Sequence, residues 1–406
     1  MERLFQKSIE EVGRFYRFSE EELKALENVD KAADEMAEGE FEHYLRHEVN
    51  LDAPKIAKKY GILGIPISKE YGGLGSNHLV TVLAKERLGQ LGLGFSSFFN
   101  VQVFLCSLSI QKWGTDEQRG KYLNAALNNN IVMAFGLTEP EAGSDPASLK
   151  TSYSKKDGGF VINGTKYLIT NGSIADYIIV FARSKDNPAE TSSFIVDANS
   201  NGVSRMRLSE KVGLFTSDTG MIEFNDVEVP RENMLGPVGK GMHVAYSGLL
   251  NGRIGVASGC LGIIEGSLNA VMTRSRERVQ HGKPIGKHQL VQRHIAEIMQ
   301  NLQMARWPTY MAALQRADYE KDPGNRALIE EAELRTAVAK RIASRLAFES
   351  ADHAVQVFGG FGYSLLSPVG ALFCDSRVTR IYEGTDEILE LKIASEVLGK
   401  DFEAYR

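Results

Sequence analysis

The sequence predicts a mostly helical chain with a small β domain inserted between two helical parts. Three observations lead there. Apolar residues recur at spacings of three and four near both ends of the chain. Between about Ile131 and Pro230 the texture changes to short β-branched and aromatic runs. The 406 residues, at roughly 150 per domain, leave room for two to three domains.

Residues 1–130 form the first helical part. Ser19-Glu20-Glu21-Glu22 is a capping box that opens a helix carrying Leu23, Leu26 and Val29. Glycines at 61, 64, 72, 73 and 75 punctuate the chain before a second helical stretch from about Leu79 to Leu88. Residues 131–241 form the β part. Tyr177-Ile178-Ile179-Val180-Phe181 and Ser193-Phe194-Ile195-Val196 are strand-like, and Met221 to Val229 reads as two strands joined by an Asn225-Asp226 turn. Residues 242–406 are helical again, as Ile295, Ile298, Leu302 and Ala305 show. Pro284, Pro308, Pro323 and Pro368 mark helix ends or kinks.

Composition narrows the function. Hydrophobic residues make up 43% and charged residues 24%, as in ordinary globular domains. No apolar run approaches a membrane span of roughly 18 residues. The net charge is −5, and the first 50 residues carry 14 acidic and 7 basic side chains. That start is unlike an acid-poor transit peptide and lacks the apolar core of a secretory signal. No basic face stands out for nucleic acid. Cys106, Cys260 and Cys374 fit neither a zinc nor a redox pattern, so a cytoplasmic location with three buried, inert thiols is expected. His43 and His47 lack a third ligand and are expected to be solvated or capping.

Dinucleotide GxGxxG, phosphate-loop and GxSxG motifs are absent. Two other stretches carry chemistry. In Gly136-Leu137-Thr138-Glu139-Pro140-Glu141-Ala142-Gly143-Ser144-Asp145, small residues and hydroxyls let backbone N–H groups approach an anion. Read locally, it is equally a turn into the β domain. In Arg380-Ile381-Tyr382-Glu383-Gly384-Thr385, a carboxylate beside glycine between apolar helices suits a buried base of raised pKa. Locally it is also a helix N-terminus, with Asp386 and Glu387 favouring the dipole.

Together the two stretches resemble the signatures of the acyl-CoA dehydrogenases. Lys166-Tyr167-Leu168-Ile169-Thr170-Asn171-Gly172, Arg278-Val279-Gln280-His281-Gly282-Lys283-Pro284 and Gln356-Val357-Phe358-Gly359-Gly360-Phe361-Gly362-Tyr363 follow in family order. The resemblance runs from about Ser19 to Gly399, leaving the first ~18 residues as an extension. It implies that family's fold: an N-terminal helical domain, a central β domain and a C-terminal four-helix bundle.

The resemblance also implies FAD. Leu137, Thr138, Gly143 and Ser144 would line the flavin ring and pyrophosphate, with Ile169 and Thr170 beside the ring. Arg278, Gln280, Gln289, Gln356, Gly359 and Gly360 would reach the FAD of a neighbouring subunit, implying a homotetramer. Thr385 and Glu387 would close over the cofactor. Ser144, Arg253 and Gly384 would meet an acyl-CoA, Glu383 would take its α-proton while a β-hydride passes to flavin, and electron-transfer flavoprotein would accept the electrons. Gly252 stands where some members place the base, which leaves Glu383 as the motif-matched carboxylate.

The sequence departs from the family pattern at several places. Leu168 replaces a common tryptophan, Leu250 an aspartate, His281 a phenylalanine and Glu387 a glutamine. The texture is nearest the glutaryl-CoA branch, yet Ser96 stands where that branch carries its carboxylate-binding arginine. An acyl-carrier-protein-linked oxidase or dehydrogenase, or a flavin monooxygenase on the same scaffold, is the alternative reading.

Overall fold

The computed structural model describes residues 4–128, 131–322 and 324–404. Helices fill the chain as far as Asn128, strands run from Met133 to Leu235, and helices return from Gly241 to Leu398. The expected helical, β, helical order is the observed one.

The helix Glu20–Arg46 starts at the expected capping box. The Ser19 hydroxyl accepts from the Glu22 N–H, and the Ser19 N–H donates to the Glu22 carboxylate at 2.8 Å. Leu26, Val29, Ala33 and Met36 form its buried stripe, but Leu23 is turned out to solvent. His47 ends the helix in a left-handed conformation, and its ring stacks on Phe215 with centroids 3.7 Å apart. No group of metal-ligating side chains occurs among the described residues. The N-terminal extension is not a loose tail. Its helix Leu4–Val12 buries Ile9 and Val12, and Ser8 joins a buried cluster in which Arg306 pairs with Glu86 and Glu265.

The strands are β1 (Met133–Gly136), β2 (Ser152–Lys156), β3 (Gly159–Thr170), β4 (Tyr177–Ser184), β5 (Thr191–Asp197), β6 (Val203–Arg207), β7 (Thr219–Pro230) and β8 (Met234–Leu235). They form one sheet in the order β6-β7-β3-β2-β4-β5-β8, with β1 added parallel to β4. The Asn225-Asp226 pair is not a hairpin turn. β7 runs straight through it, and its register against β3 shifts between Ile162 and Gly164. Asp226 takes a φ of 50° there, and its side chain and N–H both bond Asn163. A bulge absorbs the extra residue because aspartate tolerates the left-handed region that the turn signal had announced.

Three long helices, Gly241–Glu277, Gln289–Lys321 and Arg326–Phe358, and the shorter Pro368–Val378 and Asp386–Leu398 build the last part. Pro368 sits in the first helical turn, where a missing N–H costs nothing. Pro284 lies in a two-residue strand. Pro308, by contrast, lies inside a continuous helix, so it does not mark a helix end. Pro323 lies outside the described residues. The expectation about apolar runs needs correcting as well. Gly241–Glu277 is long and apolar enough to cross a membrane, with a mean hydropathy of 1.4 over its best window, but 89% of that window is buried inside the protein. It is the core helix. Cys106 and Cys260 are buried as expected, whereas Cys374 is only half-buried.

The core helix carries Gly248, Gly252, Gly255, Gly259, Gly262 and Gly266 at spacings of four and three, which puts them along one face. The spacing matters because neighbours come close there. A Cβ on Gly262 would lie 2.4 Å from the Glu86 carbonyl oxygen and 2.6 Å from the Gly89 backbone. Exchanging a helical glycine for alanine ordinarily stabilises by about 1 kcal/mol. Gly262→Ala is expected to do the opposite and destabilise by about 1–3 kcal/mol through overpacking. Gly39→Ala is the control, since its Cβ would meet only the His43 ring edge at 3.8 Å. Urea unfolding of both variants checks the reversal of sign.

Candidate active site

Glu383 sits in the short turn between the helices Pro368–Val378 and Asp386–Leu398. Its φ is 55° and that of Gly384 is 101°, so two consecutive residues are left-handed. For a glutamate this costs about 1–2 kcal/mol, and it persists because neighbours hold the turn. Arg253 Nε donates to the Glu383 carbonyl at 3.0 Å, and Lys340 Nζ donates to the Gly384 carbonyl at 2.6 Å. Thr385 then caps the last helix by accepting from the Ile388 N–H, and Arg380 pairs with Asp386 at 2.7 Å. The local reading of this stretch as a helix N-terminus therefore holds.

The carboxylate is placed asymmetrically. Oε1 accepts from Asn100 Nδ2 at 2.7 Å, whereas Oε2 has no hydrogen-bond partner. Burial raises the pKa of Glu383 well above the usual carboxylate range, and Lys85, Arg253 and Lys340 offset only part of that rise. A basic carboxylate with one free oxygen is what proton abstraction requires.

Glu383 lines a cavity of about 130 Å³. One side is Ser97, Asn100, Val101 and Leu105, with Tyr382 and Leu249 nearby. The opposite side is Leu137, Thr138, Leu168, Ile169 and Thr170. The first side bears Asn100 because the backbone from Asn100 to Ser107 is wound as a π-helix, a rare form concentrated at functional sites. Gln102, in the same stretch, fastens it to the β domain by bonding the Ile131 carbonyl and the Met133 N–H.

A buried ion pair fixes the second side. Lys166 Nζ lies 2.7 Å from Glu139 Oε1 and 3.1 Å from the Leu137 carbonyl, and the Thr151 N–H donates to Glu139 at 3.0 Å. Burial lowers Lys166 to about 8 in spite of its partner. Burial acts to raise Glu139, but Lys166 and the neighbouring N–H groups outweigh it and hold the carboxyl low. Next to this pair the β3–β7 register shifts between Lys166 and Ile169, and Leu168 takes a φ of 56°. That irregularity turns Leu168 towards the cavity, 56% exposed.

The structure thus brings Leu137, Thr138, Ile169 and Thr170 together with Glu383. Gly143 and Ser144 continue the same loop on its exposed side. Arg253 and Gly384 stand beside Glu383. Thr385 and Glu387 open the final helix, and Glu387 is fully solvent-facing, its carboxyl held low by its own backbone and the Thr385 hydroxyl. Arg278, Gln280, Gln289, Gln356, Gly359 and Gly360 are all exposed and none lines the cavity. They gather at one end of the bundle, where Arg274, one turn before Arg278, lies over the Phe358 and Phe361 rings at 5.4 and 5.7 Å.

Sequence reasoning missed Lys85, Asn100 and Lys340, and it gave Lys166 and Glu139 no role. Lys85 stands beside Glu86 and Arg87 in the otherwise apolar stretch 79–88, and nothing local singles it out from them. Asn100 and Lys340 carry no local signal, because only the tertiary fold sets them against Glu383.

Models of the acyl-CoA dehydrogenase N-terminal, middle and C-terminal domains match residues 19–130, 134–227 and 239–398. The chain belongs to the acyl-CoA dehydrogenase family. A short-chain-specific acyl-CoA dehydrogenase of Megasphaera elsdenii is 39% identical over 335 residues, covering 81% of this chain and 85% of the relative. The caffeyl-CoA reductase-Etf complex subunit CarC of Acetobacterium woodii is 34% identical over 344 residues, covering 84% and 88%. Among solved structures, butyryl-CoA dehydrogenase from Megasphaera elsdenii superposes with a TM-score of 0.87 at 33% identity, covering 95% of this chain and all of that one. A glutaryl-CoA dehydrogenase from Mycobacterium smegmatis in complex with FADH2 does so with a TM-score of 0.85 at 26% identity, covering 96% and 97%.

In this acyl-CoA dehydrogenase the Lys166–Glu139 pair supports the cavity wall from behind. Lys166→Met, which strands the Glu139 carboxylate, is expected to destabilise by about 3–5 kcal/mol. Adding Glu139→Gln is expected to recover part of the loss, as a double-mutant cycle in urea will read.

Proposed function

We propose that this acyl-CoA dehydrogenase oxidises a short acyl-CoA thioester to the trans-2-enoyl-CoA, with FAD as cofactor and Glu383 as the base. The observation that carries the proposal is Glu383 Oε2, unpartnered, in a small cavity that Leu137–Thr138 and Leu168–Thr170 also line.

That wall fits a flavin. It offers apolar area from Leu137, Leu168 and Ile169, hydroxyls from Thr138 and Thr170, and open space at Gly143, where a Cβ would meet nothing within 4 Å. FAD bound along it supplies an acceptor for the hydride that leaves the substrate β-carbon. Glu383 Oε2 takes the α-proton, and the C–H electrons become the new α,β double bond as the hydride departs. Asn100 keeps Oε1 occupied, so the proton goes to Oε2. Arg253 and Lys340 keep the turn from relaxing during the transfer. Leu105, Phe135, Leu249 and Tyr382 bound the cavity with bulky groups and exclude water, which keeps the carboxylate basic. The similarity to short-chain-specific and butyryl-CoA enzymes favours a short acyl chain.

The surface cluster Arg278, Gln280, Gln289, Gln356, Gly359 and Gly360 supports a homotetramer in which one subunit's bundle end meets the FAD of the next. The guanidinium suits bidentate bonds to phosphate. The relative from the Etf complex supports an electron-transfer flavoprotein as the acceptor. Arg278→Ala is expected to weaken both flavin retention and assembly, read together by absorbance and light scattering. A tetramer that keeps all its flavin would speak against the shared site.

Glu383→Gln keeps the size and the Asn100 contact but cannot take a proton. Flavin and thioester are expected to bind, while anaerobic flavin reduction by butyryl-CoA in stopped flow falls by about 10²–10⁴-fold, the scale of general-base loss. Reduction within about threefold of the parent rate would reject the assignment.

A further inference from the structure

Behind Glu383 lies a buried cation that the proposed reaction does not use. Lys85 belongs to the helix His78–Leu88, in which every residue is buried, and is itself only 2% exposed. Its ammonium donates to Asn100 Oδ1 at 2.9 Å and to the Gly255 carbonyl at 2.6 Å. Both acceptors are neutral. A buried ammonium with neutral partners alone is costly and tends to lose its proton. Burial indeed lowers the Lys85 pKa, and Glu383 is the largest influence opposing that.

The chemistry of the three side chains fixes their order. An ammonium can only donate, so the Asn100 oxygen must face Lys85. The Asn100 amide N–H then has to face the other way, towards Glu383 Oε1, where it donates at 2.7 Å. The amide cannot flip without placing its NH2 against the ammonium and its oxygen against the carboxylate. The result is a column running Lys85, Asn100, Glu383, with charge at both ends and a polarised amide between them.

The core helix is shaped to hold this column. A Cβ on Gly252 would lie 1.9 Å from Glu383 Oε2, and one on Gly255 would lie 1.9 Å from Asn100 Oδ1. One on Gly259 would come within 2.9 Å of Ser96 Oγ and 3.5 Å of Lys85 Nζ. Gly252 and Gly255 thus make room for Glu383 and Asn100, and Gly259 makes room for Ser96 with Lys85 at ordinary contact distance.

We propose that Lys85 and Asn100 are positioning residues for the base: the buried ammonium locks the Asn100 amide, and the amide holds Glu383 ionised with Oε2 left free for the substrate α-proton. The inference rests on Glu383 being that base. The other charged groups facing Glu383 are Arg253 from the core helix and Lys340 from Arg326–Phe358, and both also hold backbone carbonyls of the turn. Tyr382 and Cys260 nearby are kept neutral by burial, which raises Tyr382 well above its ordinary value and Cys260 to about 11. Lys85 is the cation whose link to the carboxylate runs through a side chain alone.

The sign follows. A cation favours the ionised carboxylate and so lowers its pKa; removing the cation raises it, and a higher pH is then needed to ionise the base. In Lys85→Met the acid limb of the pH profile for flavin reduction by butyryl-CoA is expected to move up by about one pH unit, the lower end for an opposite charge in a dry site. Measured on that limb, the rate falls roughly tenfold. Asn100→Leu leaves Lys85 in place but breaks the link, and is expected to move the limb the same way. The double variant is expected to move it no further than the larger single shift, because the two residues act in series.

The readout is anaerobic stopped flow from pH 5 to 9 on the flavin-loaded enzyme, with Glu383→Gln alongside. If Glu383→Gln reduces flavin normally, the base assignment fails and this inference falls with it. If Glu383→Gln is inactive while Lys85→Met and Asn100→Leu both keep the parent pH profile, the base stands and the positioning pair is wrong. Additive shifts in the double variant overturn the series arrangement. Loss of stability with an unmoved profile likewise overturns it, since a purely structural lysine would do that. Should Lys85→Met lose its flavin, Asn100→Leu decides alone, by a shifted or an unshifted limb.

Discussion

The site depends on how closely its neighbours approach the helix Gly241–Glu277. A helix that lacks side chains along one face gives up about 1 kcal/mol of intrinsic propensity at each glycine. It regains this only if something packs into the space. Near Gly262 and Gly266 that something is backbone, from Glu86, Gly89 and Gln90. Near Gly252, Gly255 and Gly259 it is polar side chain. The same face therefore sets the depth of the fold at one end and admits a charged column at the other. Dispersion and close packing hold the first region; fixed hydrogen bonds hold the second.

Electrostatics around Glu383 depend on that depth. One carboxylate faces three cations, yet burial still dominates its proton affinity. Two of the cations are engaged with the carbonyls of a left-handed turn, so they serve geometry as well as charge. The ion pair Lys166–Glu139 does comparable work on the far wall, with its neighbours' N–H groups completing the satisfaction of the buried carboxylate. The Lys166–Glu139 network has its hydrogen bonds made and fixes one wall of the cavity, whereas the network at Glu383 leaves Oε2 without a partner.

Much of this was legible in the sequence, for identifiable reasons. Helix starts and strand runs are local, so the Ser19 capping box and the Tyr177–Phe181 strand read correctly. The turn at Asn225-Asp226 did not, because it is a local preference that the surrounding ladder overrides. Glu383 was legible because it lies next to a glycine in a short signature. Asn100 was not: its role comes from a π-helical winding and from partners 15 and 283 residues away in sequence. The glycine periodicity of the core helix is plain in the sequence, but its meaning needs the neighbours that fill it.

One consequence concerns how such an enzyme can change over generations. The space in front of Gly252 is already occupied by the Glu383 carboxylate, at a separation no real side chain tolerates. An acid can therefore be delivered to this cavity from the core helix or from the turn, but not from both at once. Moving it between them is not a gradual path. The first substitution either crowds the site or empties it of its carboxylate, and only the second relieves that. The bare helix face thus acts as a ratchet, and lineages built on it are expected to keep whichever side they first adopted.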